Sequence, residues 1–138
     1  FINELNYKSY KGNYYFTNNI VQRSMGIMNK RLLPLFDPLL TRLKINIDNV
    51  HRIKVNLYPW TGRRIHHQTH EDYPPGQNLS TCLYYVNDSN RDTIFDGKKK
   101  IRCKGNRAIM FDGSIPHHST TPTDVNHGVS INIDYFIS

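Results

Sequence analysis

His51-Arg52-Ile53-Lys54-Val55-Asn56-Leu57-Tyr58 decides the fold class. His51, Ile53, Val55 and Leu57 alternate with Arg52, Lys54, Asn56 and Tyr58, the period of two expected of a half-buried strand. From His51 to the C-terminus the same signal recurs in short runs. Arg64–Gln68, Leu79–Asn87, Thr93–Asp96, Lys99–Cys103, Arg107–Phe111 and Val129–Ile137 are all strand candidates. Gly, Asn, Asp and Pro punctuate them and no helical pattern separates them, which predicts an antiparallel sandwich or barrel.

Before His51 the pattern is helical. Asn18 and Asn19 can cap a helix carrying Ile20, Val21, Met25, Met28 and Leu32. Pro34 ends it, and Asp37-Pro38 reads as the start of a second short helix through Leu43. Helices first and strands after predict a mainly β jelly roll with N-terminal helices on one sheet. Residues 1–45 would form the helical support and 49–137 the β core of one domain.

The chain has 138 residues, enough for one domain with a real core. No apolar run approaches the ~20 residues of a membrane span, so no membrane association is expected. No secretory pattern opens the sequence, and Phe1 in place of Met suggests a piece of something longer. Cys82 and Cys103 form neither a metal spacing nor a disulfide framework, so buried thiols in a cytoplasmic protein are expected. The net charge of +7 favours acidic partners. Part of that charge sits in Lys98-Lys99-Lys100 beside Asp96-Gly97, which reads as a solvated hairpin tip and not a nucleic-acid patch.

The chemistry is concentrated in His70-Glu71-Asp72 and, far downstream, Ile115-Pro116-His117. Two imidazoles and a carboxylate are the ligand set that holds non-haem Fe(II) on one face and leaves the other open. On a strand, His70 and Asp72 point the same way and Glu71 turns aside. Seven histidines generate such a pattern easily, so its surroundings matter. A zinc site of His66, His70 and His117 is an alternative, although it leaves Asp72 without a role.

Those surroundings are Arg52-Ile-Lys-Val-Asn-Leu-Tyr-Pro59, Leu83-Tyr-Tyr-Val-Asn87, Thr93-Ile-Phe95, Asn106-Arg-Ala-Ile-Met-Phe-Asp112, Pro116-His117 and Ile131-Asn-Ile-Asp-Tyr-Phe136. Together with His70-Glu71-Asp72, and in this order, they resemble the Fe(II)/2-oxoglutarate-dependent oxygenases, specifically small prolyl-4-hydroxylase-like members of marine phage and bacterial type. The resemblance implies a double-stranded β-helix with catalytic metal ligands His70, Asp72 and His117. It selects His117 over His118, because the family's ligand follows the proline directly. It also implies Fe(II) as cofactor, 2-oxoglutarate and O₂ as co-substrates, and hydroxylation of a C–H bond, with a prolyl peptide as the first candidate substrate.

Two positions depart from the family. Its cationic clamp for the distal carboxylate of 2-oxoglutarate lies about ten residues beyond the distal histidine, where this chain has His127 and Gly128. A lost charge-assisted bond costs about 1.5–3 kcal/mol, or roughly 10- to 150-fold in affinity. Arg107, His127 or Arg52 could supply the charge, with Tyr58, Asn56 and Tyr84 as polar co-ligands of the same molecule. Arg91-Asp92 stand where the family has glycines, a change expected to affect the cavity rim. Trp60 with Arg63 and Arg64 could form an aromatic, basic lip for a peptide or acidic substrate. The alternatives are a non-redox metal-binding, cupin-like jelly roll and a non-catalytic binding domain.

Overall fold

A computed structural model describes residues 6–10 and 13–137, with side chains from Tyr15 onward. The strands are β1 (Asn6–Tyr10), β2 (Asn13–Gln22), β3 (Gly26–Ile27), β4 (Val50–Pro59), β5 (Leu79–Tyr85), β6 (Asp92–Phe95), β7 (Lys99–Arg102), β8 (Arg107–Phe111), β9 (His117–Ser119) and β10 (His127–Phe136). One helix, α1 (Asp37–Leu43), precedes β4. The larger sheet runs β1-β2-β4-β10-β5-β8 with β3 on β2, and the smaller runs β7-β6-β9. Every pairing is antiparallel. Strands distant in sequence, such as β4 and β10, are neighbours, and this wraps the chain into a jelly roll.

The two faces of the larger sheet carry different residues. Ile53 and Val55 of β4, Cys82 of β5 and Ile133 of β10 join Ile20, Leu32, Phe36 and Leu40 in the main apolar cluster, between sheet and helix. Strand alternation then turns Lys54, Asn56 and Tyr58, with Ser130 and Asn132, towards the interior of the roll. The polar half of the alternation in β4 is therefore the inner half. Leu83, Tyr85 and Cys103 form a second, smaller cluster inside the roll.

The first expected helix is replaced by β2 and β3. Tyr14-Tyr15-Phe16-Thr17 is an aromatic and β-branched run, and β4 offers it a full hydrogen-bonding edge. A register shift between Asn19 and Val21 lets Ile20 and Val21 both be buried, a device that mimics helical spacing in sequence. Met25 and Met28, the other members of the supposed stripe, are exposed. The second helix forms as expected and ends at Lys44, which takes a left-handed conformation at φ 57°. Residues 1–5 of the expected helical support lie outside the described residues.

Among the later candidates, Arg107–Phe111 is β8 and Val129–Ile137 falls within one residue of the C-terminal end of β10, which starts at His127. Arg64–Gln68 is not a strand. It runs beside β9 with one isolated bridge, His66 to Thr120, so the smaller sheet is widened without a regular ladder. Asp96 and Gly97 both have positive φ and close the β6–β7 hairpin, with Lys98, Lys99 and Lys100 in solvent. Both cysteines are buried free thiols, and burial pushes Cys82 up to about 11.

Candidate metal centre

His70 and His117 face each other across an isolated antiparallel bridge. Each backbone N–H donates to the other's carbonyl at 2.9 Å. The imidazoles lie side by side, ring centroids 4.7 Å apart. His70 Nδ1 donates to the Gln68 carbonyl at 3.1 Å and His117 Nδ1 to the Ile115 carbonyl at 2.7 Å. Facing an acceptor, each Nδ1 carries a proton, so Nε2 is the atom that each ring can offer a metal ion in its neutral form. Such carbonyl contacts fix the tautomer and ring orientation of a metal ligand.

Asp72 completes the group. Its Oδ2 lies 3.4 Å from His117 Nε2 and its Oδ1 lies 3.8 Å from His70 Nε2. The three ligand atoms lie within 4.8 Å of one another, and no other such group occurs among the described residues. Asp72 is not on a strand as its spacing suggested. Its N–H donates to the Gly113 carbonyl at 2.7 Å, which anchors the turn beside β8. A Cβ at Gly113 would sit 2.4 Å from Thr81 Oγ1 and 3.0 Å from Asp72 Cβ, so only glycine admits this approach.

Behind the carboxylate, Arg52 Nη2 bridges Asp72 Oδ1 at 3.0 Å and Asp134 Oδ2 at 2.7 Å. Thr81 Oγ1 donates to Asp134 Oδ1 at 2.7 Å. Burial works against the Asp72 carboxylate, but the hydrogen bond from His117 and the Arg52 charge outweigh it and hold the group well below the ordinary range. Asp134 moves the other way, because burial and the neighbouring Asp72 outweigh Arg52. Burial lowers His70. For His117 burial is offset by its bonds to Asp72 and Ile115, and the net direction is upward.

The two histidines of the triad line a cavity of about 250 Å³ between the sheets, with Asp72 behind them. Asn56, Tyr58, Arg91 and Thr93 line it, together with His67, Ser119 and Tyr15. Arg91, Thr93 and Phe95 share one parity, so the strand that carries Thr93 aims Arg91 inward as well. Arg91 is 1% exposed. Its guanidinium lies 4.5 Å from the Tyr58 ring centroid and its Nε donates to Ser89 Oγ at 3.2 Å. Arg91 Nη2 has no hydrogen-bond partner, and neither do two other buried cavity atoms, Asn56 Oδ1 and His67 Nε2. Burial lowers His67 to about 4, so its ring is neutral, with Nδ1 donating to the Ser119 carbonyl at 2.9 Å.

The proposed clamp residues lie elsewhere. Gly128 pairs with Tyr58 on the inner face, so alternation turns His127 outward, where it is exposed. Arg107 sits at the end of β8, near the Tyr85 ring, and its Nη2 donates to the Arg102 carbonyl. Arg52 is committed to the two aspartates. Tyr84 shares the outer face with Ile131 and donates to Asn106 Oδ1 at 3.1 Å. His66 leaves the triad to pair with His118, Nδ1 to Nε2 at 2.9 Å. Trp60 is 55% exposed, and Arg64 is held by Asp92. Arg91, expected at the rim, is the buried cation of the interior. The available signal was the pairing of the two departures: a cation absent at Gly128 and one gained at Arg91.

No family model and no curated protein matches the sequence. Solved structures do match. A 2OG-Fe(II) oxygenase family oxidoreductase from Burkholderia pseudomallei aligns at TM-score 0.65 and 14% identity, over 96% of this chain and 72% of that one. A predicted oxalate decarboxylase from Thermotoga maritima aligns at 0.55 and 10%, over 98% and 96%. A cupin protein from Bacteroides fragilis aligns at 0.51 and 12%, over 72% and 75%. Some matched chains are longer, and this one spans 51% of a conserved Pseudomonas aeruginosa protein of unknown function. At such identities the likeness establishes the architecture alone, a jelly roll.

Proposed function

We propose that this protein is an Fe(II)- and 2-oxoglutarate-dependent oxygenase. The observation that carries the reading is the donor set. Two imidazoles with committed Nδ1 protons and one ionised carboxylate converge on the mouth of an internal cavity. That is the 2-His-1-carboxylate arrangement suited to non-haem Fe(II) with open positions. His70, Asp72 and His117 would hold the metal, which when bound supplies the redox chemistry of O₂ activation.

The reaction proposed is R–H + O₂ + 2-oxoglutarate → R–OH + succinate + CO₂. One oxygen atom enters the substrate and the other enters succinate. The two electrons from the substrate C–H and the two from decarboxylation together reduce O₂. The chain's own residues orient and insulate this chemistry. The Gln68 and Ile115 carbonyls fix the two rings, Arg52 keeps Asp72 ionised, and Tyr15, Tyr58 and Tyr85 restrict water inside the cavity. A prolyl peptide is the first substrate class to try, on resemblance alone.

The test is anaerobic. Fe(II)-loaded protein should develop a visible charge-transfer band on addition of 2-oxoglutarate, and admitting air should then yield succinate. Asp72→Ala should abolish metal retention, band and succinate together. Tight metal binding with neither band nor succinate would favour a non-redox cupin-like module.

A further inference from the structure

We propose that Arg91 is the anchor for the far carboxylate of the acid co-substrate, and that Gly128 is the gap in β10 that makes room for it. The proposal rests on the oxygenase reading for the identity of the acid, but its structural grounds are separate. A buried guanidinium ordinarily has an anion. Arg91 is 1% exposed, yet no carboxylate of the described residues lies within ion-pair distance of it. Its contacts are a hydroxyl and an aromatic face, and Nη2 is left without a partner. The same cavity is lined by His70 and His117, two members of the triad that Asp72 completes. A cavity with a cation inside and an open metal face at the mouth suits a short acid that chelates at one end and carries a carboxylate at the other.

Gly128 supplies the second observation. A Cβ there would lie 2.3 Å from Arg91 Nε and 2.9 Å from its Cζ, so a side chain at 128 and the Arg91 side chain in its present place exclude each other. Gly128 is not at positive φ, so the backbone does not demand glycine; the space does. The guanidinium thus occupies the volume into which a β10 side chain would project. A cation is delivered there from the strand opposite, by the residue before β6.

Calorimetry on Mn(II)-loaded protein tests this without turnover. Wild type would be titrated with 2-oxoglutarate and with pyruvate, which keeps the 2-oxo acid and lacks the far carboxylate. Arg91→Gln should weaken 2-oxoglutarate binding by at least 10-fold and leave pyruvate within about threefold. Metal affinity should be unchanged, and the ligand-free protein should unfold at the same temperature as wild type or higher, because an unpaired buried charge is gone. Arg91→Lys should fall between the two. The double variant Arg91→Gly with Gly128→Arg should recover at least 10-fold over Arg91→Gly alone.

Equal weakening of both acids, or none, in a folded Arg91→Gln overturns the assignment and leaves the oxygenase reading intact. No recovery in a double variant with wild-type metal affinity overturns the claim that the two positions serve one pocket. Arg91-dependent binding of 2-oxoglutarate without succinate on the Fe(II) protein would keep the anchor and sink the oxygenase reading.

Discussion

Arg52, half-buried, and Arg91, fully buried, belong to the same roll, and they have opposite surroundings. Arg52 lies between two carboxylates that accept from it, and one of them, Asp134, accepts in turn from Thr81. Arg91 lies deeper, against an aromatic ring and a serine hydroxyl, with a nitrogen unsatisfied. The first has both its counter-charges before any ligand arrives, although its Nε too lacks a hydrogen-bond partner, and its work is to hold Asp72 ionised and in place. The second is incomplete, and that incompleteness has a direction, into the cavity. Local saturation of charge therefore separates an arginine that builds a site from one that waits for an occupant.

The contrast breaks most visibly at Arg52. Arg52→Gln should strip the counter-ion from two buried aspartates and cost about 3–5 kcal/mol in urea unfolding at neutral pH. Metal affinity should fall with it, since Asp72 would lose the partner that holds it ionised and in place. A loss below about 1 kcal/mol would place Arg52 with Arg91, as a group the fold does not need.

The next effect reads the polarity of the inner cavity through pH. The folded His67 titrates at about 4 against an ordinary 6.5, because burial disfavours its charged form. As pH falls through 6.5 the unfolded chain takes up a proton that the folded chain refuses. Stability should therefore drop from pH 6.5 to about 4 and then level for this group, by about 3 kcal/mol in total. His67→Gln should flatten that window. It should leave the further loss below the ordinary carboxylate range, where the folded Asp72 still resists the proton that the unfolded chain takes up. A slope unchanged by the variant would mean that the inner cavity is wetter than its burial implies.

The smallest effect sharpens the comparison by its absence. Arg107 donates to a backbone carbonyl at the sheet's end and does not line the cavity. Arg107→Ala should change stability by no more than about 0.5 kcal/mol and leave affinity for 2-oxoglutarate as it was. A tenfold loss would move the anchor from Arg91 to β8.

Local pattern made much of this legible. The alternation in His51–Tyr58 marks β4, and Arg107–Phe111 marks β8 residue for residue. His70, Asp72 and His117 are brought together, although not by the strand geometry that suggested them. The failures share one physical cause, that the deciding partner lies far away in sequence. β2 is a strand because β4 offers it an edge, and nothing within Asn13–Gln22 records that edge. Arg91 looked like a loop residue because Gly128 vacates its space 128 − 91 = 37 positions later. Parity was legible in β4, where Asn56 and Tyr58 on the polar half of the alternation line the cavity while the apolar half meets the helix.

The mutual bridge between His70 and His117 has a consequence for how such a site can change over time. The two ligand-bearing backbones are fastened to each other by paired N–H···O bonds, and each ring is fastened to its own segment two residues back. Their spacing therefore owes little to the covalent route between them, which runs the 117 − 70 = 47 positions from the first histidine to the second. Turns along that route, such as Pro74–Asn78 and the Asp96-Gly97 hairpin tip, are free to lengthen, shorten or change chemistry. The geometry of the candidate site is therefore set as a unit, independent of the length of the turns around it.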